Sequence, residues 1–132
     1  MDGEKTAAGR LPEAKLAVML AVWRCAPPVT TARVMLLTEP ERGWKTSTVI
    51  SFLDRLKNRG FLEADKQGRE YVWRPLVSRD DYIGALTQDF FARVHGGSVE
   101  SLMTALFPDG LGPADADGLL RWLDGAEDSR WR

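Results

Sequence analysis

The stretch from Trp44 to Leu62, WKTSTVISFLDRLKNRGFL, constrains this chain more than any other. Wound as a helix from about Ser47, it sets Val49, Phe52, Leu53 and Leu56 on one side, the i, i+3, i+4, i+7 spacing of a helix that must pack against a core. The other side carries Ser47, Ile50, Ser51, Asp54, Arg55 and Asn58, short hydroxyls first and longer hydrogen-bonding groups later. Such a face can approach a polar surface closely. Lys45, Arg55, Lys57 and Arg59 outnumber the acid Asp54, and Gly60 suits a left-handed helix stop. These features predict a helix that enters the DNA major groove, with the adjoining Lys45 and Thr46 close to the same surface.

What precedes this stretch reads as two further helices. Leu11 to Cys25 has Pro12 and Glu13 near its start and Leu16, Met19, Leu20 and Trp23 on one stripe, and Ala26-Pro27-Pro28 stops it. Thr30 suits an N-cap for a short helix from Thr31 to about Leu37, which the Glu39-Pro40-Glu41-Arg42-Gly43 segment is expected to break. A helix pair joined by a short turn is weak evidence for DNA binding by itself. The next segments strengthen it: Leu62–Lys66 and Arg69–Arg74 flank Gln67-Gly68 and read as a β-hairpin. Lys66 and Arg69 at its tip have the charge wanted for a wing that touches backbone phosphates.

After Pro75, Ser78 is a candidate cap with Asp80 and Asp81 at the positive helix end. A stripe of Tyr82, Ile83, Leu86, Phe90, Phe91 and Val94 follows, then Gly96-Gly97, a helix with Leu102, Met103 and Leu106, a Pro/Gly-rich break, and a helix from Asp115 to about Leu123 with Leu119, Leu120 and Leu123. So much apolar surface needs a cover, supplied either by a second copy of the chain or by folding back on the winged domain. The predicted class is mainly α with a small β-hairpin wing. A flexible leader spans 1–10, a winged helix-turn-helix 11–76, a helical dimerisation region 77–124 and a frayed tail 125–132.

Charge follows the same division. Residues 1–76 hold 13 Lys and Arg against 9 Asp and Glu, whereas 77–132 hold 5 against 10. Only the first part is suited to a polyanion. With 44% apolar residues the chain can build a small core, and it has no apolar run near the roughly 18 to 20 residues of a membrane span. The start, MDGEKTAAGR, has no signal-peptide pattern, and the lone Cys25 can form no internal disulfide, so a cytoplasmic protein is expected.

With these segments placed, the chain resembles the penicillinase repressor family of bacterial regulators. The resemblance spans about Leu11 to Leu123 and is carried by VMLAVW ending at Trp23, GWKTSTV (43–49), DRLKNRGFL (54–62), GREYVWRPLVSRDDY (68–82) and HGGSVESLMTAL (95–106). It implies a cytoplasmic homodimeric repressor that binds an inverted-repeat, double-stranded DNA operator through the winged domain and dimerises through its C-terminal helices. It also makes Ser47, Thr48 and Ser51 the matches to operator-contacting residues and Arg55 the match to the family's Arg-Leu pair. On the helical wheel Thr48 lies about 100° from Ser47, so phosphate is its better target. Arg55 can reach either a phosphate or an acid of its own domain.

The chain also departs from some members. Ser47 and Ile50 stand where others carry a cation, and Ile50 suits a thymine methyl. The paired Cys ligands of copper-responsive members have no match after Cys25. A sensor protease cuts β-lactam-responsive members at an Asn-Phe bond, and the matching bond here is Asp89-Phe90. No cofactor, metal site or catalytic activity is expected: one His and one Cys make no convergent site, and Asp80 and Asp81, being adjacent, do not share a helix face. The rival reading is a protein-interaction adaptor that uses the winged fold without reading DNA.

Overall fold

Six helices and a three-stranded antiparallel sheet make up residues 10–126, which the computed structural model describes. The helices are α1 (Glu13–Arg24), α2 (Thr31–Arg42), α3 (Thr46–Asn58), α4 (Arg79–Val94), α5 (Val99–Leu106) and α6 (Pro113–Ala126). The strands are β1 (Val29–Thr30), β2 (Leu62–Gln67) and β3 (Glu70–Pro75), in the order β1-β3-β2. Residues 10–88 and 89–126 form two compact units. The expected leader, apart from Arg10, and the tail beyond Ala126 lie outside the described residues.

The first unit is built around α1, on which Val18, Met19, Ala21 and Val22 are all buried. The buried face is displaced from the predicted stripe: of its four residues only Met19 is buried, while Leu16, Leu20 and Trp23 are half-buried, Leu16 and Trp23 packing against this core. The Trp23 indole N–H donates to the Val77 carbonyl at 2.9 Å, tying the helix to the chain beyond the hairpin.

Helix α2 starts where the sequence placed it, with Thr30 Oγ1 accepting from the Arg33 N–H at 3.2 Å. Its end is a correction. The helix does not break near Leu37 but runs through Pro40 to Arg42, closing at Gly43 with φ 61°. A proline removes one ladder bond, here to the carbonyl of Leu36. That position is 71% exposed, and the helix ends within three residues, so the loss is confined to a solvated last turn.

Strand β1 was not anticipated, because two residues carry no periodicity. Val29 pairs with Trp73 and Thr30 with Val72. The buried Trp73 places its indole N–H 3.1 Å from Thr31 Oγ1, fastening the start of α2 to β3. In the hairpin, Gln67 pairs with Glu70, so the turn residues are Gly68 and Arg69, one position later than the sequence suggested. Gly68 takes φ 67° while, among the described residues, no non-glycine has positive φ, which suits the Gly-first type of two-residue hairpin.

Helix α4 begins under the Ser78 cap, whose Oγ accepts from the Asp81 N–H at 3.0 Å. Its first turns belong to the core of the first unit. Tyr82 is 6% exposed and lies against Trp23 and Phe61, and its hydroxyl accepts the buried Leu11 N–H at 2.8 Å. Ile83 and Leu86 pack against the same core. The expected boundary at 76/77 therefore falls short of the division between compact units, after Gln88.

In the second unit, α4 ends at Val94, Gly96 and Gly97 both take positive φ, and the Gly97 N–H bonds back to the Phe91 carbonyl at 3.0 Å. Ser98 caps α5, accepting from the Ser101 N–H at 3.1 Å. The His95 ring adds a link the sequence did not suggest: Nδ1 lies 2.8 Å from Ser101 Oγ, and Phe90 meets the ring edge to face. Helix α6 continues to Ala126, past its predicted end. No described helix is long and apolar enough to cross a membrane.

Candidate nucleic-acid interface

Helix α3 divides its residues as its spacing requires. Val49, Leu53 and Leu56 are buried, and Phe52 is half-buried, meeting Trp44 edge-on with ring centroids 5.1 Å apart. Thr46, Ser47, Ile50, Ser51, Asp54, Arg55 and Asn58 are exposed, with Ile50 at 40%, and Thr48 is half-buried at the edge of that face. The outer face is thus small and polar near the N-terminus, with one accessible aliphatic group, and its cations lie at either end, Lys45 before the helix and Arg55 and Lys57 in its last turns.

Both ends of α3 are held firmly. At the front, Arg42 makes a two-point hydrogen-bonded ion pair with Glu13, joining α2 to α1, and its guanidinium lies 5.3 Å from the Trp44 ring centroid. The Arg42 hydrogen bond holds the Glu13 carboxyl below its ordinary range, burial opposes this, and the Arg42 charge adds to it. The same bond raises Arg42. Trp44 then leans on Phe52 within α3, so the chain enters the helix at a fixed angle. At the rear, the Gly60 N–H bonds the Lys57 carbonyl and the Phe61 N–H bonds the Leu56 carbonyl, both at 3.0 Å, with Gly60 at φ 85°. This pair of bonds is the helix stop expected at Gly60.

The predicted wing cations, Lys66 and Arg69, are exposed at the hairpin end. Among the described residues, Lys45, Arg55, Lys66 and Arg69 make no ion pair, so no acid of the domain neutralises Arg55. Arg74 behaves differently, pairing with Glu63 and, at 3.7 Å, with Asp65. An uncommitted cation on an exposed helix or hairpin is available to a polyanion without first breaking an internal pair.

The residues expected in a dimer face do not stay together. Tyr82 is corrected to the core of the first unit, where it lies against Phe61 and Trp23, and Ile83 and Leu86 are half-buried and pack against the same core. In the second unit Phe90, Val94, Leu106, Leu120 and Leu123 are exposed, while Phe91, Leu102 and Leu119 are half-buried. The Asp89-Phe90 bond lies inside α4, with the Asp89 carboxylate accepting from Arg93 at 2.9 Å. Among the described residues no cluster of three or more His, Cys, Asp or Glu side chains is arranged to hold a metal ion. Cys25 is half-buried just past α1, its thiol 3.4 Å from the Ala26 carbonyl.

Residues 11–125 match the family model described as penicillinase repressor. The chain belongs to the penicillinase repressor family. Among similar proteins, the penicillinase repressor of Bacillus licheniformis is 28% identical over 94 residues, 71% of this chain and 73% of that one. The transcriptional regulator BlaI of Mycobacterium tuberculosis is 25% identical over 114 residues, 86% of this family member and 83% of its own length. A solution structure of the Bacillus licheniformis BlaI monomeric form in complex with the blaP half-operator has a TM-score of 0.48 at 28% identity, covering 57% of this chain and 90% of that one.

One residue of the wing escaped the sequence reading. Tyr71 enters the sequence reading only within the Arg69–Arg74 hairpin segment, yet it is 50% exposed and stands directly across from Lys66. Its two-residue spacing from Trp73 was the available signal, since alternate strand residues share a face.

Proposed function

We propose that this family member is a DNA-binding transcriptional repressor that works as a homodimer on an inverted-repeat operator. The observation that carries the reading is the outer face of α3, where Ser47, Ile50 and Ser51 are exposed between unpaired cations on a helix fixed at both ends. Small hydroxyls permit close approach to base edges, and Ile50 offers an apolar contact to a thymine methyl. Lys45, Thr46, Thr48 and Arg55 hold the helix in register through phosphates, and Lys66 and Arg69 do so from the wing. Membership of a repressor family supports this assignment, and the Bacillus licheniformis relative is itself a penicillinase repressor.

The dimer rests on the second unit. Phe90, Val94, Leu106, Leu120 and Leu123 are exposed there, as are Val99 and Trp122. Covering apolar area is worth about 25 cal/mol per Å², and a second copy supplies the same surface in return. Two α3 helices then read half-sites about 34 to 36 Å apart, or a multiple of that spacing.

Selection of bound duplexes from a random pool, followed by titration of the selected operator, tests the reading. Replacing Ser47 and Ser51 together by Trp removes readout worth about 1–3 kcal/mol per position and weakens operator binding roughly 30-fold or more. The thermal melt stays at the wild-type value, because both positions are exposed. A collapsed melt, or unchanged affinity, refutes the placement of this face. A wild-type protein that selects no duplex, or whose binding ignores salt, favours the adaptor reading instead.

A further inference from the structure

The two faces of the wing carry opposite charge. Alternation along paired strands puts Leu62, Ala64 and Lys66 of β2 with Tyr71 and Trp73 of β3 on one face, and Glu63, Asp65 and Gln67 with Glu70, Val72 and Arg74 on the other. The contacts agree: the Lys66 ammonium lies 5.9 Å from the Tyr71 ring centroid, Tyr71 is 6.2 Å from Trp73, and Arg74 pairs with Glu63 and Asp65. On the second face three carboxylates, Glu63, Asp65 and Glu70, stand against the single Arg74, which Glu63 and Asp65 already engage. That face repels a polyanion. The first is apolar where it covers the core and becomes a cation beside a phenol at its outer end, next to the turn that holds Arg69.

We infer that the wing meets duplex DNA through the Lys66/Tyr71 face, and that Tyr71 is a positioning residue whose hydroxyl donates to a backbone phosphate. This rests on the DNA-binding reading above and extends it to a residue and an orientation. Tyr71 is half exposed, and its hydroxyl makes no hydrogen bond among the described residues. Its ring is held from two sides, by Trp73 within the strand and by the Lys66 ammonium across it. A neutral donor beside a cation, both held by strand pairing, presents two groups to one phosphate: Lys66 supplies charge and Tyr71 supplies direction. Neither group reads a base, so the contact fixes register equally on any duplex.

The two roles separate in a salt titration of the full chain against the selected operator and a shuffled duplex of equal length. Tyr71→Phe keeps the ring and loses only the donor. It weakens both duplexes by the same factor, about tenfold for a hydrogen bond to a charged acceptor, and leaves the slope of log K against log[salt] unchanged. Lys66→Ala lowers that slope by about 0.9 for the lost phosphate neutralisation. Tyr71→Phe binding within twofold of wild type overturns the inference, as does a loss confined to the operator or a slope changed by a whole unit. Wild-type protein that binds neither duplex brings down the DNA reading itself, a result distinct from wild-type binding with an indifferent Tyr71→Phe.

Discussion

Removing one oxygen, in Tyr82→Phe, tests the reassignment of the start of α4 from dimer face to winged-domain core. The Tyr82 hydroxyl accepts the Leu11 N–H at 2.8 Å, and both residues are buried, at 6% and 5% exposure. Phenylalanine keeps the ring and therefore the contacts with Trp23 and Phe61, whose centroids lie 5.8 and 5.7 Å away. What is lost is the acceptor, leaving a buried backbone donor unsatisfied at a cost of about 1–3 kcal/mol. At roughly 4 °C per kcal/mol for a chain of this size, the melting temperature falls by about 4–12 °C. Urea unfolding followed by tryptophan fluorescence at fixed protein concentration measures the change, with a lower midpoint and an unaltered slope, since the same surface is exposed on unfolding. Sedimentation equilibrium of the folded protein is expected to show an unchanged dimer dissociation constant. A melt within a degree of wild type, or weakened dimerisation at unchanged stability, refutes the core assignment.

Truncation and pH give two further outcomes. A chain ending at residue 76 lacks Val77 and Tyr82, whose burial is worth about 1.5–3 kcal/mol per large side chain, so it melts without cooperativity, whereas one ending at residue 88 keeps a cooperative melt; circular dichroism of the two distinguishes them. The Glu13 carboxyl is held below its ordinary value by Arg42, so the stability it contributes is present above the unfolded-state pKa and is lost as pH falls through the folded value. Glu13→Gln is expected to lower the melting temperature near neutral pH and to converge on wild type in acid below the carboxylate range, and a gap that persists there refutes the linkage.

How much of the site was legible in the sequence depended on the range of the interaction responsible. The buried face of α3, the Gly60 stop and the Thr30 and Ser78 caps are set within a few residues, and each appears where the sequence placed it. Asn58-Arg59-Gly60 needs no distant partner to end a helix, because the two closing bonds run to carbonyls of the same turn. Pro40 does not break α2, because Leu36 faces solvent and the helix ends just beyond, and neither fact is expressed in the local sequence. The hairpin was recognised but misplaced by one residue, since Gly68 can occupy either position of a two-residue turn and only pairing across the strands decides which.

The sequence by itself determined the helices, the polar outer face of α3, the basic hairpin and, through several motifs in order, the family. Local periodicity, capping and turn chemistry act along the chain, and one dimension is enough to express them. Tertiary structure alone decided how shared apolar stripes were allotted: Tyr82, Ile83 and Leu86 continue the pattern of Phe90 and Val94, but Tyr82 lies against Phe61 and Trp23, and Ile83 and Leu86 pack against the same core. It also decided which charges were spent, engaging Arg42 with Glu13 and Arg74 with Glu63 while leaving Arg55 and Lys66 without ion pairs among the described residues. Partners 29 residues apart, as Glu13 and Arg42 are, meet only when helices pack. A composition count records their charges but not which of them cancel.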